Sequence, residues 1–281
     1  MLEMRSLMPP TGRGGPRTAG LAARGWIPTV PQVVIFYAIT FAFSWALFLP
    51  YAFGIFSLQR DEVIPLALGI AGPSVTAFLI AGVTAGRHGL LELWRQAIRW
   101  RVGAWWYGVV LVGPGLADAA ALGTGVALGG QLSAIAPVIP AIANGLVAGL
   151  FEEFGWSGVA FPGLRARYGL ARAGAVVGAL LALWHLPFFF TPQLSHYDAS
   201  FALFLLAGPP LRILFGWIYN GTGASILLMI LFHGSLDAWA ETLSFRPAVF
   251  EPAWLLFTMI LWVAAVVVVF RDRGKSGAGS R

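Results

Sequence analysis

The chain has 281 residues, of which 58% are hydrophobic and only 11% charged, and it contains no cysteine. A soluble domain carries about 25% charged residues, so a soluble enzyme is excluded, as are a disordered chain, a secreted disulfide scaffold and any thiolate nucleophile or Cys–zinc site. The net charge of +6 does not indicate nucleic acid, because Arg and Lys fall in the gaps between apolar runs, a pattern that marks membrane topology.

In chain order, residues 1–30 form a basic tail rich in Gly and Pro, with Arg5, Arg13, Arg17 and Arg24. The expectation is a flexible cytoplasmic segment. Eight apolar segments follow, near 31–53, 63–86, 103–128, 136–160, 172–190, 200–220, 222–241 and 252–270. Each is close to the roughly 20 residues that span a bilayer as a helix. Barrel strands would instead alternate apolar and polar residues over about ten positions. The predicted fold is therefore all-α, a polytopic membrane bundle of about eight transmembrane helices. Residues 31–271 read as a single membrane domain, and residues 272–281 as a second basic tail.

Two patterns refine this topology. With both ends cytoplasmic, 15 of the 18 Arg and Lys residues fall inside, Arg60 and Arg246 fall outside, and Arg212 lies within a span. That asymmetry obeys the positive-inside rule. Between the second and third spans, residues 87–101 place Leu90, Leu93, Trp94, Ala97, Ile98 and Trp100 largely on one helical face and Arg87, Arg95, Arg99 and Arg101 on the other. This predicts an amphipathic helix lying on the inner leaflet.

Ionisable residues inside spans are costly and point to function. They are Asp118, Glu152, Glu153, His185, Arg212, His233 and Asp237, with Asn144 and Asn220 as weaker polar residues and His88 and His196 assigned to loops. Asp118 reads as structural. The others concentrate in three spans, at Glu152-Glu153-Phe154-Gly155-Trp156-Ser157, at Trp184-His185-Leu186-Pro187, and at His233-Gly234-Ser235-Leu236-Asp237. His233 and Asp237 share a helical face at i, i+4. Glu152 and Glu153 diverge by about 100°. Counting about 1.5 Å per residue places Glu152 and Arg212 about 12 Å, His233 about 17 Å and His185 about 20 Å from the cytoplasmic side, which suits one polar chamber.

Carboxylates and imidazoles in such a chamber can activate water and stabilise an oxyanion. Glu and two His could instead hold a divalent metal, zinc in the first place. No H-E-x-x-H or G-x-S-x-G motif is present. The bland readings are a structural ion pair between the glutamates and Arg212, and a satisfied core His185.

The order of these three motifs resembles the CPBP intramembrane proteases, the family of the type II CAAX prenyl endopeptidases and the Abi-type bacteriocin-processing and immunity proteins. The flanks GPSVTAFLIAG and FGWIYNGTGASILLMILFH agree with it. The resemblance implies Glu152 as the residue that activates water, supported by Glu153. It implies His185 in water activation or metal binding, and His233 with Asp237 as an oxyanion-stabilising or metal-adjacent pair. A metal-dependent mechanism would use Glu152, His185 and His233 as ligands. Two positions depart from the family pattern, Ser157 in place of an Arg and Leu181 in place of a Phe. Arg212 is expected to supply the missing guanidinium.

The expected function is an intramembrane endopeptidase acting on a membrane-associated or lipidated peptide or protein, in the plasma membrane of a bacterium or archaeon, with the bilayer and no nucleic acid as partners. The alternatives are a catalytically silent scaffold or bacteriocin-immunity protein of the same fold, and a proton-relay transporter.

Overall fold

The computed structural model of the chain describes residues 25–60, 62–128, 137–194, 196–197, 199–242 and 247–278. Residues 1–24 of the first expected tail, residues 279–281 of the second, and Arg246 lie outside the described residues, and residues 272–278 of the second tail continue the last helix. Nine helices appear among the described residues: α1 (Val30–Ala52), α2 (Val63–Ile70), α3 (Gly72–Ala97), α4 (Ala104–Ala127), α5 (Val138–Gly155), α6 (Phe161–Trp184), α7 (Phe201–Gly221), α8 (Ile226–Thr242) and α9 (Pro247–Ala278). A π-helical turn, Trp156–Ala160, joins α5 to α6, and a 3-10 turn, Leu186–Phe190, follows α6. No strand occurs among the described residues.

Each of the eight apolar segments falls on a helix or bent helix pair. Five helical runs are long and apolar enough to cross a membrane, or six if α2 and α3, bent by 47°, form one span. One of the five, Val138–Phe190, is 53 residues long. At about 1.5 Å per residue it is more than twice the thickness of a hydrocarbon layer of about 30 Å, so it must hold two crossings. Gly169 provides the break, with φ 77 inside α6. At 17 residues α8 is just shorter than the other spans. The chain is an integral membrane helix bundle.

A second glycine break, Gly86 with φ 57, separates residues 87–97 from the span before it, where the amphipathic segment was expected. Trp94 and Ile98 are exposed, as are Arg95 and Arg99, which suits a helix at the membrane surface. The expected apolar stripe is divided, however. Leu93 is buried together with the polar Glu92 and Gln96. Gln96 donates to Glu92 Oε1 at 3.2 Å and accepts from the Tyr219 hydroxyl at 3.0 Å. The bond from Tyr219 pins the helix to α7.

Helices in lipid associate by close packing at small residues, and two such contacts frame the site. Gly145 and Gly149 of α5 lie against α8, so a methyl on Gly149 would come 2.7 Å from the Ile230 carbonyl oxygen and one on Gly145 would collide with that of Gly234. Gly174 and Gly178 of α6 lie likewise against Ile213 and Gly208 of α7. Gly178→Ala is expected to cost about 2 kcal/mol through overpacking against backbone. Gly123→Ala, with nothing near its added methyl, is the matched control. Thermal unfolding in detergent measures both.

Candidate active site

Three helices supply the central polar cluster. Glu152 and Glu153 end α5, Arg212 lies midway along α7, and His233 and Asp237 share a face of α8. The GxxxG contact of α5 sets the last two against the first two, since Gly149 packs on the His233 Cβ and Gly145 on the Asp237 Cβ. The chain then widens into the π-turn, a feature that recurs at functional sites.

The two glutamates have different surroundings. Glu153 is fully buried. Arg212 donates to it bidentately, Nη1 to Oε2 at 2.9 Å and Nη2 to Oε1 at 2.8 Å. The Ser157 hydroxyl donates to Oε2, and His233 Nδ1 lies 2.7 Å from Oε1. All of its strong acceptor directions are thus engaged. The guanidinium is itself buried and rests on the Phe215 ring, 4.1 Å from its centroid. Glu152 receives a single hydrogen bond among the described residues, from Trp156 Nε1 to Oε2 at 2.9 Å. Its other oxygen has no hydrogen bond there.

His233 lies between two carboxylates. Its Nδ1 faces Glu153, while its Nε2 is 3.6 Å from Asp237 Oδ2, too long for a hydrogen bond. Side-chain exposure rises along this row, from 0% at Glu153 to 12% at His233 and 44% at Asp237. The cluster is therefore closed at the Glu153 end and open at the Asp237 end.

His185 stands apart. Pro187 ends α6 by denying the helix a donor, and His185 sits at that end. Its Nδ1 is 3.0 Å from the Leu181 carbonyl oxygen, so Nδ1 carries the proton and Nε2 keeps a lone pair. The structure makes no hydrogen bond between His185 and Glu152, Glu153 or His233 among the described residues. Its ring instead stacks on His196 at 5.7 Å and meets Trp184, Phe188 and Phe204 edge-on.

His196 was assigned to a loop and set aside. It does lie in a loop, but that loop folds back onto the end of α6, and a sequence pattern could not show this. Burial among Phe188, Phe189 and Phe204 pushes its imidazole down to about 4. A depressed His means the unfolded chain binds the extra proton first. Its contribution to stability is therefore intact above about pH 6.5 and lost as the pH falls toward 4. His196→Phe is expected to flatten this acid limb of the unfolding profile.

Asp118 and Asn220 take no part in the cluster's hydrogen bonds. Asp118 is buried with Oδ2 unpartnered, as are both amide atoms of Asn220. Asn144 approaches Glu241 at 3.4 Å, beside the open end of the row. For a metal, no three His, Cys, Asp or Glu residues are grouped to share one ion among the described residues. Glu152, His185 and His233 as placed do not form a ligand set.

Residues 134–239 match the sequence model of the family described as type II CAAX prenyl endopeptidase Rce1-like. A curated relative, CAAX prenyl protease 2 of Methanococcus maripaludis, is 30% identical over 141 residues, 48% of this chain and 51% of the relative. The match thus spans about half the length of that relative. All of the residues singled out in the three motifs, together with Arg212, fall within the matched segment, and residues 134–239 are similar in sequence to the CPBP, or CAAX protease, family.

Proposed function

We propose that the protein is an intramembrane endopeptidase and that Glu152 is its general base. The observation that carries this reading is the asymmetry of the glutamate pair. Glu153 is saturated by Arg212, Ser157 and His233, whereas Glu152 keeps an oxygen free to take a proton from water. The hydroxide so formed attacks the scissile carbonyl carbon. His233 Nε2–H, held by the Nδ1 contact to Glu153 and oriented beside Asp237, stabilises the oxyanion. Glu152 then returns its proton to the leaving amine as the C–N bond breaks. His185, with Nε2 as an acceptor, assists in orienting the water or substrate.

The substrate is a membrane-associated or lipidated peptide that enters from the open Asp237 end. The excess of Arg in the connections assigned to the inner side supports a cytoplasmic placement of both termini. Ser157, where the family pattern has Arg, favours a second reading as a silent scaffold. Arg212 on Glu153 argues against it, because the charge is still compensated.

The test is a panel of Glu152→Ala, His185→Ala and His233→Ala variants, purified and reconstituted with a prenylated peptide. A peptidase loses cleavage in the variants with expression unchanged, while a scaffold retains its cellular phenotype in all three. Elemental analysis of active protein, with chelation and reversal, decides metal dependence. The glutamate mechanism predicts substoichiometric zinc and activity that survives the chelator.

A further inference from the structure

Beside the Glu152 ligand Trp156 lies a seam that the motifs do not include. Helix α1 runs across it. Phe36 meets the Trp156 ring edge-on at 5.7 Å and Tyr37 stacks on it at 5.9 Å. Two turns further on, Phe48 meets the Trp184 ring at 5.2 Å and Trp45 donates from Nε1 to the Trp184 carbonyl at 3.0 Å. The two indoles touch each other at 5.7 Å. Thr40 lies on α1 between these two sets of contacts and is fully buried, as are both indoles.

Three buried polar atoms along this seam have no hydrogen-bond partner among the described residues: the Tyr37 hydroxyl, Thr40 Oγ1 and Trp184 Nε1. Buried polar groups are nearly always satisfied by protein or by ordered water. Thr40 shares this state with Thr258. Thr84, Thr124, Thr191 and Thr222 each turn the hydroxyl back onto the carbonyl four residues earlier, whereas Thr40 does not.

We propose that the seam between α1, the π-turn and the end of α6 is a buried water site formed by Tyr37, Thr40 and Trp184, and that it supplies the water deprotonated by Glu152. Water suits this donor set. It accepts from the indole N–H and one hydroxyl and donates to the other hydroxyl, giving the roughly three bonds typical of a buried water. Trp156 stands between the site and Glu152, its ring stacked on Tyr37 and its Nε1 bound to the Glu152 carboxylate. Tyr37 and Thr40 are then positioning residues. The supply role rests on the peptidase reading above, whereas the water site does not.

Two measurements separate these claims. Millisecond hydroxyl-radical labelling of the reconstituted full chain reports aromatic rings next to bound water. Trp156 and Trp184 are expected to label at least several-fold faster than the equally buried Phe36 and Phe48, and Thr40→Val is expected to remove that excess. Labelling no faster than at Phe36 and Phe48 overturns the water site, whether or not the protein cleaves any peptide. In the peptidase assay, Thr40→Val and Tyr37→Phe are expected to lower kcat about tenfold, the effect of one lost hydrogen bond, with KM unchanged. Thr258→Val, which removes another buried unpartnered hydroxyl on α9, is expected to leave kcat unchanged. Fast labelling with kcat intact in Thr40→Val overturns the supply role. A kcat loss in Thr258→Val equal to that in Thr40→Val overturns it as well.

Discussion

Glu152→Gln is expected to lower kcat/KM by about a thousandfold while leaving the protein folded. General-base catalysis contributes about 10²–10⁴-fold, and the amide can no longer take a proton. The isosteric change preserves the acceptor for Trp156 Nε1, so packing around the indole is retained and the unfolding temperature should hardly move. Glu153→Gln is expected to fail in a different way. It leaves Arg212 buried without its anionic partner, and folded protein should be lost along with activity. Adjacent glutamates that fail by different routes are the signature of one chemical and one structural carboxylate. Equal loss of stability in both variants would contradict that division of labour.

The second large effect is expected at Arg212. Removing one partner of a buried ion pair costs about 3–5 kcal/mol, because the remaining charge is stranded. Arg212→Leu should therefore unfold readily in detergent. Adding Glu153→Gln to it removes the stranded charge, and the double variant is expected to recover at least about half of the lost stability without recovering cleavage. A strictly additive double variant would show that the two side chains do not interact energetically. Arg212→Lys is expected to restore charge but not the two-pronged geometry, and so to fold better than the Leu variant while remaining impaired.

The sequence disclosed the parts of this arrangement that violate the solvent. Carboxylates, imidazoles and a guanidinium stand out in apolar runs because each is costly there. The same logic drew the eight segments and located the break before the amphipathic helix at Gly86. The gap between segments 136–160 and 172–190 contains the break at Gly169, but the sequence did not reveal that residues 161–168 are helical or that a π-turn follows Gly155, since a one-residue widening of a helix leaves no hydrophobic period behind. Only the family resemblance, not the residue pattern itself, divided the roles of Glu152 and Glu153. That difference depends on which of two side chains meets Arg212, a contact 59 residues away in the chain. His196 and Thr40 were passed over for another reason. A histidine in a loop and a threonine in an apolar span are ordinary by composition, and only the packing of His196 against His185 and the burial of the Thr40 hydroxyl without a partner among the described residues set them apart.

The central claim is that Glu152 deprotonates a water that attacks the peptide carbonyl directly. Single-turnover cleavage of a prenylated peptide by the reconstituted protein in H₂¹⁸O tests it. The expected result is one ¹⁸O atom in the new carboxylate of the peptide and none in Glu152. Label in the Glu152 side chain, or no cleavage by protein shown to be folded, would contradict it.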